Sequence, residues 1–403
     1  MSKDVKNVPA LRFKGFSDAW EKRKLGDLST IRRGASPRPI SSPKWFSGTS
    51  SVGWLRISDV TEQNGRVYSV AQHLSEKGQK KTLVLTKRHL ILSIAATVGK
   101  PVQNYTALGI HDGFIVFMNP KFDLDFMFYF LEKYQPQWMR FGQPGSQVNL
   151  NSELVRNLEI RLPRRDEQEQ VSKILLKLDN LIAATQQKLD NLRQVKKSMS
   201  QHLLGKSIRF REFSATWEKR KLGDLLKERN VQHPQSSEYP LVSFTVENGV
   251  TPKTERYERE QLVRGDKQAK RYKETRLDDI VYNPANLKFG AIARNSFGKA
   301  VFSPIYVTFE VNQELALAKY VELLVTQNSF LSRALRYQQG TVYERQSVSP
   351  RDLLNLSVAL PDKEEQMNIS LVFSRLDKLI MTTQSQLSTF KILKKSLLQN
   401  LFV

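Results

Sequence analysis

The chain has 403 residues, 40% of them apolar, which predicts two or three folded domains rather than a disordered protein. Its 63 Lys and Arg against 40 Asp and Glu give a formal net charge of +23. That excess favours a polyanionic partner, with nucleic acid first and an acidic membrane surface second. The absence of cysteine excludes disulfides and zinc–thiolate sites and agrees with a cytoplasmic location.

No secretory signal or membrane span is expected. The N-terminal residues lack an apolar core of signal-peptide type. The longest apolar run, His89–Gly99, is too short to cross a bilayer and is typical of a buried β-strand. The protein is therefore expected to be soluble.

A phrase near the N-terminus occurs twice in the chain. Phe16–Leu28 has the sequence FSDAWEKRKLGDL and Phe213–Leu225 has FSATWEKRKLGDL, so only two of thirteen positions differ. Such a repeat at long distance indicates an internal duplication. The basic Lys-Arg-Lys residues have two interpretations: they either form a solvent-exposed face or make a phosphate contact that both halves share.

The residues within each phrase predict its local structure. Trp20 and Trp217 are expected to be buried anchors. The EKRKL that follows each tryptophan predicts a short helical turn ended by Gly26 and Gly223.

The segments that follow the two phrases differ from each other but share a composition. Residues 29–150 contain SVGWLRISDV, HLILSIAATVGK and GFIVFMN, and residues 226–340 contain YPLVSFTV, DDIVYNPAN, FGAIARN and PIYVTFEV, all typical of short strands. Each then offers a helical stretch, DLDFMFYFLEKYQPQWM or LALAKYVELLVTQNSFLSRAL. We therefore predict two mixed α/β domains with shared ends and different middles.

A long helix is predicted to close each domain. After Leu162–Pro163 and after Leu360–Pro361, acidic residues fill the first turn, and helical spacing continues for about 40 residues. The predicted boundaries are domain 1 at 1–163, helix 1 at 164–206, domain 2 at 207–361 and helix 2 at 362–403.

Apolar residues follow a 3,4 spacing along both helices. The predicted seam consists of Leu175, Leu178, Ile182, Leu189, Leu192, Met199 and Leu203 in the first helix, and of Phe373, Leu376, Ile380, Leu387, Phe390, Leu397 and Leu401 in the second. The pattern is broken at equivalent positions by Thr185 and Lys196, and by Thr383 and Lys394. This favours an antiparallel coiled coil in a pseudo-twofold molecule over two helices that each lie on their own domain.

The sequence shows no set of residues typical of catalysis. The histidines have no metal-ligand spacing, no phosphate-binding glycine loop is present, and no metal site is predicted. In GIHDGF, His111 and Asp112 are expected to point to opposite faces of a strand. The YNPANLKFG stretch, Tyr282–Gly290, departs from the base-holding motif of adenine methyltransferases and is interpreted as a turn or a DNA-contacting loop.

In its ordered, duplicated motifs the chain resembles the specificity subunits of type I restriction–modification enzymes. The resemblance covers nearly the whole chain. It rests on both WEKRKLGDL phrases, on GSQVNLNSELVRNLEIRLP (Gly145–Pro163) with its weaker counterpart ERQSVSPRDLLNLSVALP (Glu344–Pro361), and on Glu167–Gln168 and Glu365–Gln366 after each Leu-Pro.

The resemblance implies a non-catalytic DNA-reading subunit. In that family two target recognition domains each read one half of a bipartite DNA sequence, and two long helices separate them. The helices dock two modification subunits, which methylate adenine with S-adenosylmethionine. Two restriction subunits add ATP- and Mg²⁺-dependent translocation and cleavage. No cofactor is expected on the chain itself.

Helix length limits the span of such a target. A helix of 40 residues is about 60 Å long, which corresponds to an upper limit near 17 base pairs. Two half-sites of three to five base pairs with a gap between them fit within that span.

DNA-contacting residues are predicted from residue type and loop position, since Lys and Arg suit phosphates and Asn, Gln and Arg suit base edges. In the first domain they are Arg32, Arg33, Arg38, Lys44, Gln143, Ser146 and Gln147. In the second they are Arg264, Lys267, Lys270, Arg271, Lys273, Asn286, Lys288, Gln338, Gln339, Arg345 and Gln346.

Two other functions are compatible with a basic chain of this kind. One is a free-standing DNA nuclease or methyltransferase. The other is an interaction scaffold whose basic surface binds acidic proteins and never reads DNA.

Overall fold

A computed structural model describes residues 8–138, 150–246, 249–252, 270–340 and 346–403. The chain divides into two compact units. Unit 1 comprises residues 1–187 and 384–403, and unit 2 comprises residues 188–383. This division differs from the predicted boundaries, because each long helix contributes one part to each unit.

Unit 1 is a mixed α/β structure whose strands are short. Its strands are β1 (Glu21–Lys24), β2 (Thr30–Arg33), β3 (Gly53–Trp54), β4 (Arg66–Val67), β5 (Leu83–Leu85), β6 (Leu90–Ser93), β7 (Pro101–Asn104), β8 (Leu108–Ile110), β9 (Phe114–Met118) and β10 (Glu159–Leu162). Its helices are α1 (Leu25–Leu28), α2 (Ile57–Glu62), α3 (Glu76–Gln79), α4 (Leu124–Trp138), α5 (Ser152–Asn157) and the first part of α6 (Arg165–Leu203), with a 3-10 turn at Pro43–Trp45.

The strands of unit 1 form three sheets. A five-stranded sheet has the order β2-β9-β6-β7-β4, and β3-β8-β5 and β1-β10 form smaller sheets. The predicted strand in His89–Gly99 is confirmed for β6 alone, since the chain turns after Ser93. In SVGWLRISDV only Gly53–Trp54 is a strand, and the rest of that prediction was wrong because α2 begins at Ile57.

Unit 2 is likewise a mixed α/β structure of short strands, and its main sheet repeats the order of four strands of the unit 1 sheet. Its strands are β11 (Glu218–Lys221), β12 (Leu226–Glu228), β13 (Gln232–His233), β14 (Val242–Thr245), β15 (Gly249–Pro252), β16 (Tyr272–Thr275), β17 (Ile280–Tyr282), β18 (Ile292–Arg294), β19 (Ala300–Phe302), β20 (Val307–Val311) and β21 (Ser357–Leu360). Its helices are α7 (Leu222–Leu225), α8 (Ala318–Val325), α9 (Asn328–Leu335), α10 (Pro350–Leu354) and the first part of α11 (Lys363–Asn400), with a 3-10 turn at Leu287–Phe289.

The sheets of unit 2 confirm the predicted strands of its middle segment. Sheets β12-β20-β17-β18 and β13-β16-β19 form the larger part, and β14-β15 and β11-β21 are two-stranded. The mixed α/β class is therefore confirmed in both units. None of the helices in the described ranges combines the length and apolarity needed to cross a membrane.

The repeated phrases form strands where helical turns were predicted. In both copies the EKRK letters are a strand, because they pair antiparallel with the strand that precedes the long helix, β1 with β10 and β11 with β21. The helical turn begins only at the following leucine. Gly26 lies inside that turn, where a Cβ would meet the carbonyl oxygen of Arg156 at 3.2 Å. Glycine therefore permits close packing of α1 on α5 and does not end a helix.

Both predicted tryptophan anchors are confirmed, and each donates a hydrogen bond to a buried glutamate. In unit 1, Trp20 Nε1 lies 3.3 Å from Glu167 Oε1, and Arg12 binds the same carboxylate through Nε and Nη2 at 2.7 and 2.8 Å. In unit 2, Trp217 Nε1 lies 2.9 Å from Glu365 Oε2.

The arginine of the second copy completes the same arrangement. Arg209 contacts both Glu365 oxygens, at 2.9 and 2.6 Å. The Glu167 and Glu365 side chains are only 2% and 1% exposed. Each long helix therefore begins with a buried carboxylate that binds the tryptophan of the repeated phrase and the arginine that precedes the phrase.

The long helices are confirmed as α6 and α11, and they run in opposite directions. In unit 1, Leu175 near the start of α6 shares a core with Leu401 and Phe402 after α11. In unit 2, Leu203 at the end of α6 shares a core with Ile369 and Phe373 near the start of α11.

Most predicted seam positions are buried or half-buried. Leu175, Leu178, Leu189, Leu203, Phe373, Leu387 and Leu401 are buried, and Ile182, Leu192, Leu376, Ile380, Phe390 and Leu397 are half-buried. Met199 is the exception among them, because its side chain is 39% exposed. Thr185 and Thr383, which break the apolar pattern, are both buried.

The buried glutamate predicts a large difference between two neighbouring substitutions. Glu365→Ala would leave Arg209 and the Trp217 N–H without their shared acceptor, so we expect the melting temperature of unit 2 to fall by roughly 5 °C or more. Scanning calorimetry measures this change. Glu364→Ala is the matched control, since Glu364 lies in the same first turn but is exposed. Equal shifts for the two variants would contradict the assigned role of Glu365.

Candidate nucleic-acid interface

The predicted basic loop of unit 1 is held in place by one residue, Asp112, through its carboxylate and its backbone carbonyl group. The loop follows β2, and Asp112 contacts it at three points. Arg33 Nε donates to the Asp112 carbonyl oxygen at 2.7 Å, Ser36 Oγ to Oδ1 at 2.7 Å, and Arg38 Nη2 to Oδ2 at 3.0 Å. The hydrogen bond from Ser36, assisted by the charge of Arg38, lowers the pKa of Asp112. These contacts with Asp112 fix the conformation of the loop that carries the exposed arginines.

The four predicted basic residues of this loop are all exposed, although their surroundings differ. Arg32 extends from β2, whereas Arg33 and Arg38 are tied to Asp112. Lys44 Nζ lies 4.4 Å from the centroid of the buried Trp45 ring, whose Nε1 donates to the Pro39 carbonyl oxygen at 2.9 Å. Arg38 retains most of its exposure (76% of its side chain), so its guanidinium is available to a second anion.

The structure corrects the predicted geometry of His111 and Asp112. They lie in the turn after β8 rather than on a strand, and the His111 ring packs against Trp54 and Phe114. Burial lowers the pKa of His111. Its Nδ1 accepts the Gly113 N–H at 2.9 Å and is 3.9 Å from Asp112 Oδ1. The pair therefore anchors a loop and does not form a hydrogen-bonded catalytic dyad.

Several predicted contacts fall outside the described residues. They are Gln143, Ser146 and Gln147 in unit 1 and Arg264, Lys267 and Arg345 in unit 2. These six residues remain predictions.

The basic residues next to β16 differ in accessibility. Lys270 and Arg271 are exposed. Lys273 is only 7% exposed, and its Nζ lies 2.7 Å from Glu228 Oε1. Because its charge is already paired in a buried position, Lys273 is poorly suited to a phosphate contact.

The structure brings together two predicted loops of unit 2 that are distant in sequence. The turn at 283–290 follows β17, and the second predicted loop, of which residues 337–340 and 346–347 are described, precedes α10. Val348 N donates to the Pro284 carbonyl oxygen at 3.2 Å, and Tyr282 donates its hydroxyl to the Val348 carbonyl oxygen at 3.1 Å. The turn that carries Asn286 and Lys288 is therefore joined to the residue that directly follows the glutamine-rich loop.

The glutamines of this loop also shape its backbone. Gln339 and Ser347 exchange backbone hydrogen bonds of 3.0 and 2.9 Å. Gln338 Nε2 donates to the Gln346 carbonyl oxygen at 3.2 Å, and Gln346 Nε2 donates to the Gly340 carbonyl oxygen at 3.3 Å. A base-reading role for these side chains requires exchange of these weak bonds for bonds to DNA.

Sequence reasoning missed two functional features. The sequence places Asp112 beside a histidine, but it gives no local signal of the contacts that Asp112 makes with the loop about 75 residues earlier in the chain. Phe289 was part of a quoted motif, but its 62% exposure was not anticipated. An aromatic ring beside Gly and Lys in a loop would have been a usable indication.

The residues described here contain no group of three or more His, Asp or Glu side chains arranged to hold a metal ion. The buried ion pairs instead link structural elements. Arg229 binds Asp279 at 2.9 Å, and Arg66 binds Asp125 at 2.9 Å.

Comparison with known proteins gives a consistent result. Residues 17–194 match the family described as the type I restriction modification DNA specificity domain. The specificity subunit of the type I restriction enzyme EcoprrI from Escherichia coli is 22% identical over 227 residues, which are 52% of this chain and 55% of that protein. The MjaVIII specificity subunit from Methanocaldococcus jannaschii is 30% identical over 132 residues, which are 31% of this chain and 30% of that protein. The chain thus spans about half or less of these relatives.

Similarity of fold extends further along the chain. The crystal structure of the type I restriction–modification S subunit from M. genitalium superposes with a TM-score of 0.65 at 13% sequence identity, covering 98% of this chain and 99% of that one. At such low identity the likeness establishes the fold alone. Residues 17–194 are thus similar in sequence to the type I restriction modification DNA specificity domain, and the chain as a whole is similar in fold to a solved S subunit.

Proposed function

We propose that the chain is the DNA specificity subunit of a type I restriction–modification complex. Each unit reads one half of a bipartite DNA target, α6 and α11 set the spacing, and the subunit itself catalyses no reaction. The observation that carries the proposal is the repeated framework. The same Arg–Glu–Trp contacts hold two middles that share a four-strand order, β2-β9-β6-β7 and β12-β20-β17-β18, but differ in sequence and in their remaining strands. A constant support with variable inserts suits recognition of two different half-sites.

The charge of the chain supports a DNA partner. A net charge of +23 supplies a strong, salt-dependent attraction to phosphates. Exposed basic residues lie on or near loops in both units, for example Arg32 in β2 and Arg38 in the loop after it in unit 1, and Lys270 and Arg271 before β16 in unit 2. Phosphate contacts of this kind would orient each unit, and the neighbouring amide side chains would read base edges.

The exposed faces of the long helices support docking of partner subunits. On α11, Met381 is 72% exposed and Ile392 is 66% exposed, and Leu379 and Met367 are also exposed. Large apolar residues on an otherwise polar helix are typical of a protein-binding surface. We assign to the partners two modification subunits, which use S-adenosylmethionine, and two restriction subunits, which use ATP and Mg²⁺.

Two experiments separate this proposal from its alternatives. If the chain were a free-standing enzyme, the purified chain with DNA, Mg²⁺ and S-adenosylmethionine would cleave or methylate without partners; we expect no turnover. If it were a scaffold that never reads DNA, the complete complex would protect no defined sequence. We expect protection of one bipartite sequence.

Exchange of one middle segment should change one half of the target. We expect a chain in which residues 29–150 come from another specificity subunit to direct methylation to a sequence with one new half-site and one retained half-site. Sequencing of methylated positions in cellular DNA measures both. The exchange of residues 226–340 is the matched control and should change the other half. A change in both halves from either exchange would contradict modular reading.

Lengthening both helices should lengthen the gap between half-sites. Seven residues inserted after Thr185 and seven after Thr383 add about 10 Å to each helix, and we expect a gap longer by about three base pairs. The methylated sequence again gives the result. Insertion in α6 alone is the control and should abolish assembly, because it shifts the register of the pair. An unchanged gap with full methylation would show that these helices do not set the spacing.

A further inference from the structure

The turn after β17 ends in an exposed apolar tip. Phe289 closes the 3-10 turn Leu287–Phe289 and is 62% exposed, and Val246, which follows β14, is 56% exposed. Gly290 follows Phe289 with a left-handed φ of +81°, and a Cβ there would lie 3.8 Å from Val246 Cγ1. The two apolar side chains therefore stand at one place on the surface of unit 2.

Behind this tip lies a small cavity of about 220 Å³ with aromatic and amide walls. Its rings come from Phe244, Phe289 and Tyr306, and its amides from Asn283 and Asn286. Rings and amides together are the groups that contact nucleobases, through stacking or methyl contact and through paired hydrogen bonds.

The two asparagines have different roles in this turn. Asn283 is 6% exposed, and its Oδ1 accepts the backbone N–H groups of Ala285 and Asn286 at 3.1 and 3.3 Å. Asn283 therefore shapes the turn. Asn286 is exposed and extends from a backbone that is fixed by this bonding. Its amide is thus available to a ligand at the cavity mouth.

The surroundings of the tip favour DNA over an apolar protein surface. Lys288 Nζ lies 5.3 Å from the centroid of the Phe289 ring, so a cation stands beside the apolar group. The turn is also joined to the residue that directly follows the glutamine-rich loop by the bond from Val348 N to the Pro284 carbonyl oxygen. A small apolar tip bordered by a cation and amides matches a groove edge, where phosphates flank the bases.

One base pair offers the complementary groups. In the major groove an A·T pair presents N6 and N7 of adenine, which an asparagine amide binds, and the thymine C5-methyl group, which an apolar side chain contacts. A G·C pair has no such methyl group. We propose, on the basis of the DNA-reading function proposed above, that Asn286 and Phe289 read one A·T pair in the half-site of unit 2, with the amide on adenine and the ring against the thymine methyl.

The test combines a substitution in the protein with the removal of a single chemical group from one base of the DNA. The test uses the complex of this chain with its modification subunits. The DNA has the bipartite sequence that this complex methylates. The half-site of unit 2 is the one that exchange of residues 29–150 leaves unchanged. Each thymine of that half-site is replaced in turn by deoxyuridine, which lacks only the methyl group. At one position we expect binding by the unaltered complex to weaken about fourfold, whereas the Phe289→Ala complex should bind both duplexes equally.

The same pair is tested from the adenine side. 7-Deazaadenine at that position removes the N7 acceptor, and we expect it to weaken binding by the unaltered complex roughly tenfold but not binding by Asn286→Ala. Phe297→Ala is the control, because Phe297 is an exposed aromatic residue of unit 2 that does not line the cavity. Its complex should keep the full sensitivity to both base analogues.

Three results would overturn the inference. One is a half-site without a thymine whose methyl group matters. Another is equal sensitivity to deoxyuridine in the unaltered and Phe289→Ala complexes. The third is loss of subunit assembly in Phe289→Ala, which would make the tip a protein contact. Each of these results can occur while the unaltered complex still methylates a bipartite target. Failure to recognise any bipartite target would instead contradict the proposed function itself.

Discussion

A buried carboxylate at the start of each long helix organises both units of this protein. An ionised glutamate removed from water is stable only where its oxygens are fully bonded. Arg12 and Trp20 meet this requirement for Glu167. Arg209 and Trp217 do so for Glu365. Because the donors lie about 150 residues before the acceptor in each copy, the bond joins the beginning of a unit to its end.

The glutamine that follows each carboxylate extends this connection into the variable middle. Gln168 accepts the Asp123 N–H at 2.8 Å and donates to the Pro163 carbonyl oxygen at 2.8 Å. Gln366 accepts the Leu317 N–H at 2.9 Å. The Glu–Gln pair thus connects the repeated phrase, the strand before the long helix and the start of α4 in unit 1 or of α8 in unit 2. Between these points the two units differ in sequence and in the strands added to the shared four-strand sheet, and the frame is the same in both.

Much of this frame could be predicted from the sequence, and the errors have a common origin. Regular 3,4 spacing over some 40 residues identified α6 and α11, since it depends on local periodicity alone. EKRK was predicted as a helical turn because Glu, Lys and Arg favour helices. Pairing with Glu159–Leu162, far along the chain, makes it a strand. The paired state of Lys273 and the loop anchor at Asp112 are likewise set by distant partners, which residue type does not reveal.

The polar positions of the seam explain how the helix pair can hold one register. Lys196 Nζ lies 2.5 Å from Asp377 Oδ1 in unit 2, and Lys394 Nζ lies 2.9 Å from Asp179 Oδ1 in unit 1. Slippage of one helix along the other by a turn would separate both pairs and remove from the largely buried Lys394 one of its two carboxylate partners, Asp179 and Glu132. Apolar seam residues alone would tolerate such a shift, since one leucine can replace another. The polar residues that interrupt the seam therefore restrict the register of the pair, as the proposed role of the helices as a spacer would require.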